Sequence, residues 1–263
     1  LHTLEIDGGY TSVSAEIRLR NAGLDAARVQ LCCRLLDGSG QVAASCENTV
    51  SLLKNEDVKS HMMLYVDDPA LWSPDAPNLY RYEVEVLEGS RVLDTAEGTF
   101  GIRTLRVDAR RGLRINGVET KLRGACVHHD NGVIGATSLK DAERFRMSKL
   151  KEAGFNAIRC AHHPAGKALL EVCDELGLLV MDELSDIWEN PKNCADYTFD
   201  FPEDCESVVE RMVSKDFNHP SVILYAIGND SGCYFADCYP ELIVGAAAGR
   251  SITWGYLLGK QLA

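Results

Sequence analysis

The chain has 263 residues, 46% hydrophobic and 25% charged, with a formal net charge of -12 and a pI near 5.0. That acidic balance argues against a nucleic-acid or anionic-membrane partner and favours a neutral ligand; no apolar run reaches the roughly 18 residues of a membrane-spanning helix. Ten cysteines, spread over so long a chain and never in CxxC spacing, suit reduced thiols in a cytoplasm better than a disulfide scaffold or a zinc site. Of these, Cys126, Cys160 and Cys173 are expected as small buried hydrophobes. The first residue is Leu1 rather than Met, which suggests a fragment or a processed chain and leaves export open.

Residues 1 to about 104 read as short strands separated by turns, in SVSAEIRLRN, ARVQLCCRLLDGSGQ and LYRYEVEVLEGSRVLD. Tyr82, Val84 and Val86 alternate with Glu83 and Glu85, the period of a half-buried strand, and DGSG is a hairpin-type turn. Cys32 and Cys33 are neighbours on such a strand and point to opposite faces. An antiparallel β-sandwich of about 100 residues fits this stretch. The segment TLRVDARRGLRINGVETKLRG then adds strand-like pieces about a tight turn at Asn116-Gly117.

From about residue 120 the rhythm changes to strand KLRGACV, helix SLKDAERFRMSKLKEAG, strand NAIRC, helix AGKALLEVCDELG, strand LLVMDE, helix PEDCESVVERMVSKDF and strand SVILYAIGN. The first helix sets Leu139, Phe145 and Leu150 among charges, with Gly154 after it as a C-cap. Asp204 and Glu206 suit the positive end of the last helix. Repeated βα units of about 30 residues mean a parallel sheet, open or closed into a barrel. The tail after Asp230 is far shorter than the roughly one hundred residues that closing an eight-stranded barrel would still require.

Parallel architectures place chemistry at the carboxyl ends of their strands. Here those ends carry His128, His129 and Asp130; Arg159, His162 and His163; Asp182 and Glu183; and Asn229 and Asp230. Clustered polar residues at all four ends point to a site on this face. For Asp182 or Glu183 the plainer reading is a structural ion pair with Arg159. A divalent metal on His129 and His162, as in barrel hydrolases, stands against neutral hydrogen-bonding histidines lining a polar pocket; adjacent histidines on an extended chain point opposite ways, so only one of each pair faces the centre. Trp72, Trp188 and Tyr225 are stacking candidates that are more often core. Two carboxylic acids facing one pocket are what glycosidic cleavage needs, one to protonate the leaving oxygen and one to attack the anomeric carbon or activate water. This chemistry requires no cofactor; a divalent or sodium ion is the one addition left open.

The segments DPALWSPDAPNLYRYEVEV, FGIRTLRV, INGVETKLRGACVHHD, FNAIRCAHHP, VCDELGLLVMDE and DFNHPSVILYAIGND, in this order over about residues 10 to 230, resemble glycoside hydrolase family 2. The group comprises β-galactosidases, β-glucuronidases and β-mannosidases, and the likeness is strongest to the β-galactosidase branch. The resemblance implies a sugar-binding jelly roll, an immunoglobulin-like sandwich and a (β/α)8 barrel with a retaining site, of which this chain begins at the sandwich and ends partway through the barrel. It places Asp230 at the acid/base position, where the family has Glu, and Asn229 as the contact to the sugar 2-hydroxyl. Arg159, His162, Glu183, His129 and Asp130 take the positions of residues lining the sugar pocket. An Asp for Glu withdraws the carboxyl by roughly 1.5 Å, and a misplacement of about 1 Å costs on the order of a hundredfold. The family nucleophile is a Glu at the end of strand seven; no such strand is found here, and Glu241 is the tail's only glutamate.

The sequence therefore leads to an immunoglobulin-like sandwich over residues 1–104 and a partial (β/α)8 barrel over residues 105–263, with about the first four βα units. The expected parent activity is retaining hydrolysis of terminal β-D-galactosides, silent in this chain alone. The competing reading is a non-catalytic remnant, or a carbohydrate-binding or assembly module on the same scaffold. The expected partners are a β-linked sugar and, because a half-barrel exposes a strand edge, further copies of the chain; no nucleic acid, membrane or protein-bound metal is expected.

Overall fold

A computed structural model describes residues 1–187, 194 and 197–229. It forms two compact units, Leu1–Thr120 and Lys121–Ala263. The first begins with β1 (His2–Asp7), β2 (Tyr10–Arg20), β3 (Ala27–Leu36), β4 (Val42–Leu52), β5 (Asp57–Asp67), β6 (Tyr80–Glu88) and β7 (Arg91–Phe100). These make two antiparallel sheets, β1-β2-β5 and β4-β3-β6-β7.

The period of two decides which faces meet. Strand β5 buries Ser60, Met62, Leu64 and Val66 and exposes Lys59, His61, Met63 and Tyr65; β3 buries Val29, Leu31, Cys33 and Leu35. A slip of one residue would turn either set to water. These side chains join Val13, Val50, Tyr80 and Phe100 in one core between the sheets. Cys33 lies in that core and its neighbour Cys32 is only half-buried, as their opposite faces require. The DGSG turn closes on Asp37, whose Oδ1 accepts from the backbone N–H of Ser39 and of Gln41. Trp72 is fully buried and so is no exposed stacking platform.

Strands β8 (Leu105–Asp108), β9 (Gly112–Ile115) and β10 (Val118–Glu119) form a small antiparallel sheet in the order β10-β9-β8. Asn116 and Gly117 join β9 to β10 with φ of 51° and 80°, the left-handed pair of a type I′ turn. The Asn116 side chain accepts from Thr104 N at 2.9 Å and donates to Trp72 O at 2.9 Å. It thus binds this sheet to the sandwich, so by packing the first unit runs on to Thr120.

The second unit contains β11 (Gly124–Val127), α1 (Lys140–Glu152), β12 (Ala157–Cys160), α2 (Lys167–Leu176), β13 (Leu179–Glu183), α3 (Phe201–Asp216) and β14 (Val222–Ala226). The four strands are parallel and lie in sequence order, β11-β12-β13-β14. Sequential order is the winding of a (β/α) barrel, whereas a doubly wound sheet reverses its order partway. The described residues therefore form a sandwich followed by part of a barrel.

Helix α1 carries Asp141 and Glu143 in its first turn and Lys149 and Lys151 in its last, each complementing the helix dipole. Its buried residues are Glu143 and Met147; of the expected apolar trio Leu150 packs against the core, whereas Leu139 is the N-cap and Phe145 is 66% exposed. Met147 and Leu150 pack into the cluster that α2 shares, and beside it Lys140 pairs with Glu171 and Glu175 and Arg144 with Glu175. Gly154, with φ of 88°, follows α1 as the left-handed exit. Cys160 and Cys173 are buried against Leu169, Leu170, Val172 and Val180, and burial pushes both thiols well up. Cys126, expected there too, is exposed: it lies in register with Arg159, on the face away from the helices, where its Sγ stands 3.8 Å from Arg159 Nη1.

Between the sheet and α3 lies a second buried charge cluster. Asp182 and Asp216 are 0% and 1% exposed; Lys215 pairs with Asp216 and stands 3.7 Å from Asp182. One lysine cannot neutralise two carboxylates. Burial, and then the Asp182 charge, push the Asp216 carboxyl up to about 9 despite Lys215. Folding therefore takes up a proton at neutral pH. Below the ordinary carboxylate range both states hold that proton and its contribution to stability is fully present. As pH rises past that range the unfolded chain releases it first, so stability falls until the folded carboxyl also ionises near 9. Urea denaturation should accordingly give a higher midpoint at pH 5 than at pH 8, and Asp216→Asn should flatten that difference. An Asp216→Asn chain with unaltered pH dependence would contradict the proton retained on Asp216.

Candidate functional site

The alternation that orders the sheet also sorts its polar residues. On β12, Ile158 and Cys160 pack toward the helices with Val180 of β13, so Arg159 points to the other face. On β13, Asp182 shares the side of Val180, and Glu183 shares that of Leu179 and Met181. Glu183 and Arg159 are thereby turned toward one another at the carboxyl ends of adjacent strands.

Glu183 is fully buried, and three groups converge on its neighbourhood. Arg159 donates through Nε to Oε2 at 2.6 Å and through Nη2 to Oε1 at 3.0 Å, the two-pronged geometry in which a guanidinium matches a carboxylate. His162 places Nδ1 2.9 Å from Oε1. An ionised carboxylate only accepts, so Nδ1 carries the hydrogen, and a neutral His162 then presents Nε2 as an acceptor. Arg159 Nη2 also donates to Asn229 Oδ1 at 2.8 Å, which brings in the residues after β14. Burial works against the guanidinium charge, yet its bonds to Glu183 outweigh that and hold Arg159 more firmly protonated than usual.

Around this centre, the rings of His128 and His162 meet edge to face with centroids 5.1 Å apart. Burial, then the nearby His129, lower the His163 pKa, keeping that ring neutral at pH 7. The loop after β11 is pinned by Arg146 of α1, which donates to the carbonyls of His128 and Asp130 at 2.8 Å and 2.9 Å. The Asp130 carboxylate turns to the backbone of Gly132 at 3.0 Å. The structure thus brings Arg159, His162, Glu183 and Asn229 into one network; of the histidine pair after β11 it is His128, not the expected His129, whose ring meets His162, and the Asp130 carboxylate is engaged within its own loop. Tyr225 packs against the apolar clusters. Asp230, Trp188 and Glu241 lie outside the described residues. Among the described residues no group of three or more His, Cys, Asp or Glu side chains is placed to hold a metal ion.

Two residues that sequence reasoning passed over belong here. Asp186 Oδ1 accepts from Asn229 Nδ2 at 2.9 Å, and the Ser185 carbonyl accepts from Asn229 N at 3.2 Å. Both lie in a loop without strand or helix periodicity; the only signal was an Asp three residues after Glu183.

The network lies in a chain that matches known proteins. A family description, "Glycosyl hydrolases family 2, TIM barrel domain", matches residues 106–244, and "Glycosyl hydrolases family 2" matches residues 2–103. The chain belongs to glycosyl hydrolase family 2. Among family 2 relatives it is 35% identical over 236 residues to the β-galactosidase BoGH2A of Bacteroides ovatus, covering 89% of this chain and 28% of that protein. A putative β-glucuronidase of Formosa agariphila is 33% identical over 243 residues, 92% of this chain and 22% of that protein. The crystal structure of a family 2 member from Bacteroides cellulosilyticus superposes with a TM-score of 0.88 at 34% identity, over 100% of this chain and 33% of that one. The chain thus spans about a quarter of the length of these curated relatives.

The network makes Arg159 the costliest member to lose. Arg159→Ala strands a buried carboxylate and should destabilise the chain by about 3–5 kcal/mol, whereas Asn229→Ala removes hydrogen bonds worth about 1–3 kcal/mol. Denaturant titration of both variants checks the order; equal losses would mean that Glu183 is not the charge on which the cluster depends.

Proposed function

We propose that this chain is the sandwich and first barrel strands of a retaining β-galactosidase, acting on terminal non-reducing β-D-galactosides. The observation that carries the reading is the convergence of Arg159, Glu183, His162 and Asn229 at the carboxyl ends of three adjacent parallel strands, in a chain of this family. Such a cluster supplies fixed donors and acceptors in two opposed signs, suited to the hydroxyl groups of a neutral sugar. In this reading Asn229 bonds the 2-hydroxyl, where a hydrogen bond strengthens toward an oxocarbenium-like transition state, and Arg159, His162 and Glu183 hold the pocket wall. His129 and Asp130 flank the sugar from the loop after β11. Asp230 protonates the leaving oxygen and later activates water, and the carboxylate that attacks the anomeric carbon stands about 5–5.5 Å from it. Among the described residues no segment supplies that second carboxylate, and the reading includes the expectation that the chain is silent when alone. A further copy of the chain against the barrel strands is part of the same proposal.

The sugar assignment follows the β-galactosidase of Bacteroides ovatus, with glucuronides as the competitor. Relatives of nearly equal identity carry both names, so the choice of sugar belongs to the proposal. Hydrolysis of an aryl β-galactoside and an aryl β-glucuronide by the folded chain tests the reading, together with ligand-observed NMR of both sugars. The expected result is no turnover of either, with binding of the galactoside that Asn229→Ala abolishes. Turnover would overturn the silent-chain part; preferential glucuronide binding would overturn the galactose assignment; and no sugar binding at all would favour a non-catalytic remnant.

A further inference from the structure

Asn229 is an amide, and its two ends are chemically unlike. Oδ1 accepts from the Arg159 guanidinium at 2.8 Å, and Nδ2 donates to the Asp186 carboxylate at 2.9 Å. Turning the amide by 180° would set N–H against the guanidinium and C=O against the carboxylate, replacing two charge-assisted bonds with two repulsive contacts. The orientation is thus dictated by its neighbours rather than by atom assignment. Arg159 cannot supply this alone, since a residue bound only at Oδ1 still swings about that contact. The backbone N–H of Asn229 donates to Ser185 O at 3.2 Å, and Ser185 Oγ in turn donates to Ile187 O at 2.8 Å. The Ser185–Asp186 segment therefore grips Asn229 at both its main chain and its side chain.

We propose that Asp186 is a positioning residue of the sugar pocket, fixing the Asn229 amide in the orientation that meets the substrate hydroxyl. This rests on the glycosidase reading above. Asp186 acts through Asn229 and does not itself touch the sugar. Strand geometry places the Cα of residue 229; Asp186 sets the remaining rotation of the amide, and with it which hydrogen-bond partner a sugar hydroxyl encounters.

The test uses the ¹⁵N-labelled 263-residue chain, with the Asn229 side-chain amide assigned by its loss in Asn229→Asp. Asp186→Ala should shift the Asn229 Nδ2 resonances toward those of a free amide and speed their hydrogen exchange about tenfold, as the loss of one hydrogen bond implies. Asp186→Asn keeps an accepting oxygen and should restore most of the native signature. Titration with isopropyl β-D-thiogalactopyranoside should move the Asn229 amide in the parent chain and in Asp186→Asn, with affinity about tenfold weaker in Asp186→Ala. Unchanged Asn229 resonances in Asp186→Ala would overturn the proposal, as would an Asp186→Asn variant no better than Asp186→Ala. If the thiogalactoside moves nothing in the parent chain, the sugar reading fails, while the amide spectra still decide whether Asp186 orients Asn229. Should Asp186→Ala not fold, Asp186→Asn against the parent decides: the proposal requires a retained Asn229 signature.

Discussion

A carboxylate with no exposure to water is the constraint around which the barrel unit is arranged. Removing an ion from solvent costs several kcal/mol unless partners replace the lost hydration, and Glu183 is fully buried. Its compensation comes from a different strand, Arg159 of β12, and from His162 just beyond it. The guanidinium has more donors than one carboxylate accepts, and the surplus N–H reaches Asn229 after β14. One buried charge thus draws the ends of three strands to a common point. The parallel register makes this inexpensive, since Arg159 lies opposite Met181 and Glu183 follows two residues later on the same face.

The neighbouring residue solves the same problem differently. Asp182 faces the helices because successive strand residues alternate, and there it receives the backbone N–H of Ala165 at 2.8 Å and approaches Lys215 and Asp216. Compensation on that side comes from a lysine and a retained proton rather than from a guanidinium. The inward site pairs its carboxylate across strands with a guanidinium. The outward cluster keeps its net charge low, as a packed helix–sheet layer demands. A one-residue change of register at β13 would exchange the two environments.

This division explains what the sequence disclosed. Alternation in Tyr82 to Val86 and the turn residues at Asp37 and Asn116 carry local physics, so the sandwich strands and hairpins were legible. Repeating βα units announced the parallel sheet, and polar residues at its strand ends marked the face where Arg159, His162, Glu183 and Asn229 meet. That Glu183 rather than Asp182 would pair with Arg159 followed from register, which single strands do not encode. Exposure was less legible where the neighbouring elements decide it: Cys126 stands on the Arg159 face, away from the helices, and Phe145 is exposed although Met147 and Leu150 of the same helix pack into the cluster shared with α2.

Loop residues were the least legible, and they complete the site. A strand fixes the position and direction of its last residue but leaves the side-chain torsions beyond it unset. For Arg159 and Glu183 mutual attraction removes that freedom, because each is the other's partner. An amide such as Asn229 needs a donor on one side and an acceptor on the other before a single orientation prevails. The strands provide the donor; the acceptor comes from Asp186, in a segment with no periodicity to betray it. The orientation of Asn229 thus depends on a scaffold that sets backbone positions and a loop that bonds the other end of the amide. The Ser185–Asp186 loop holds that residue by its main chain and its side chain at once.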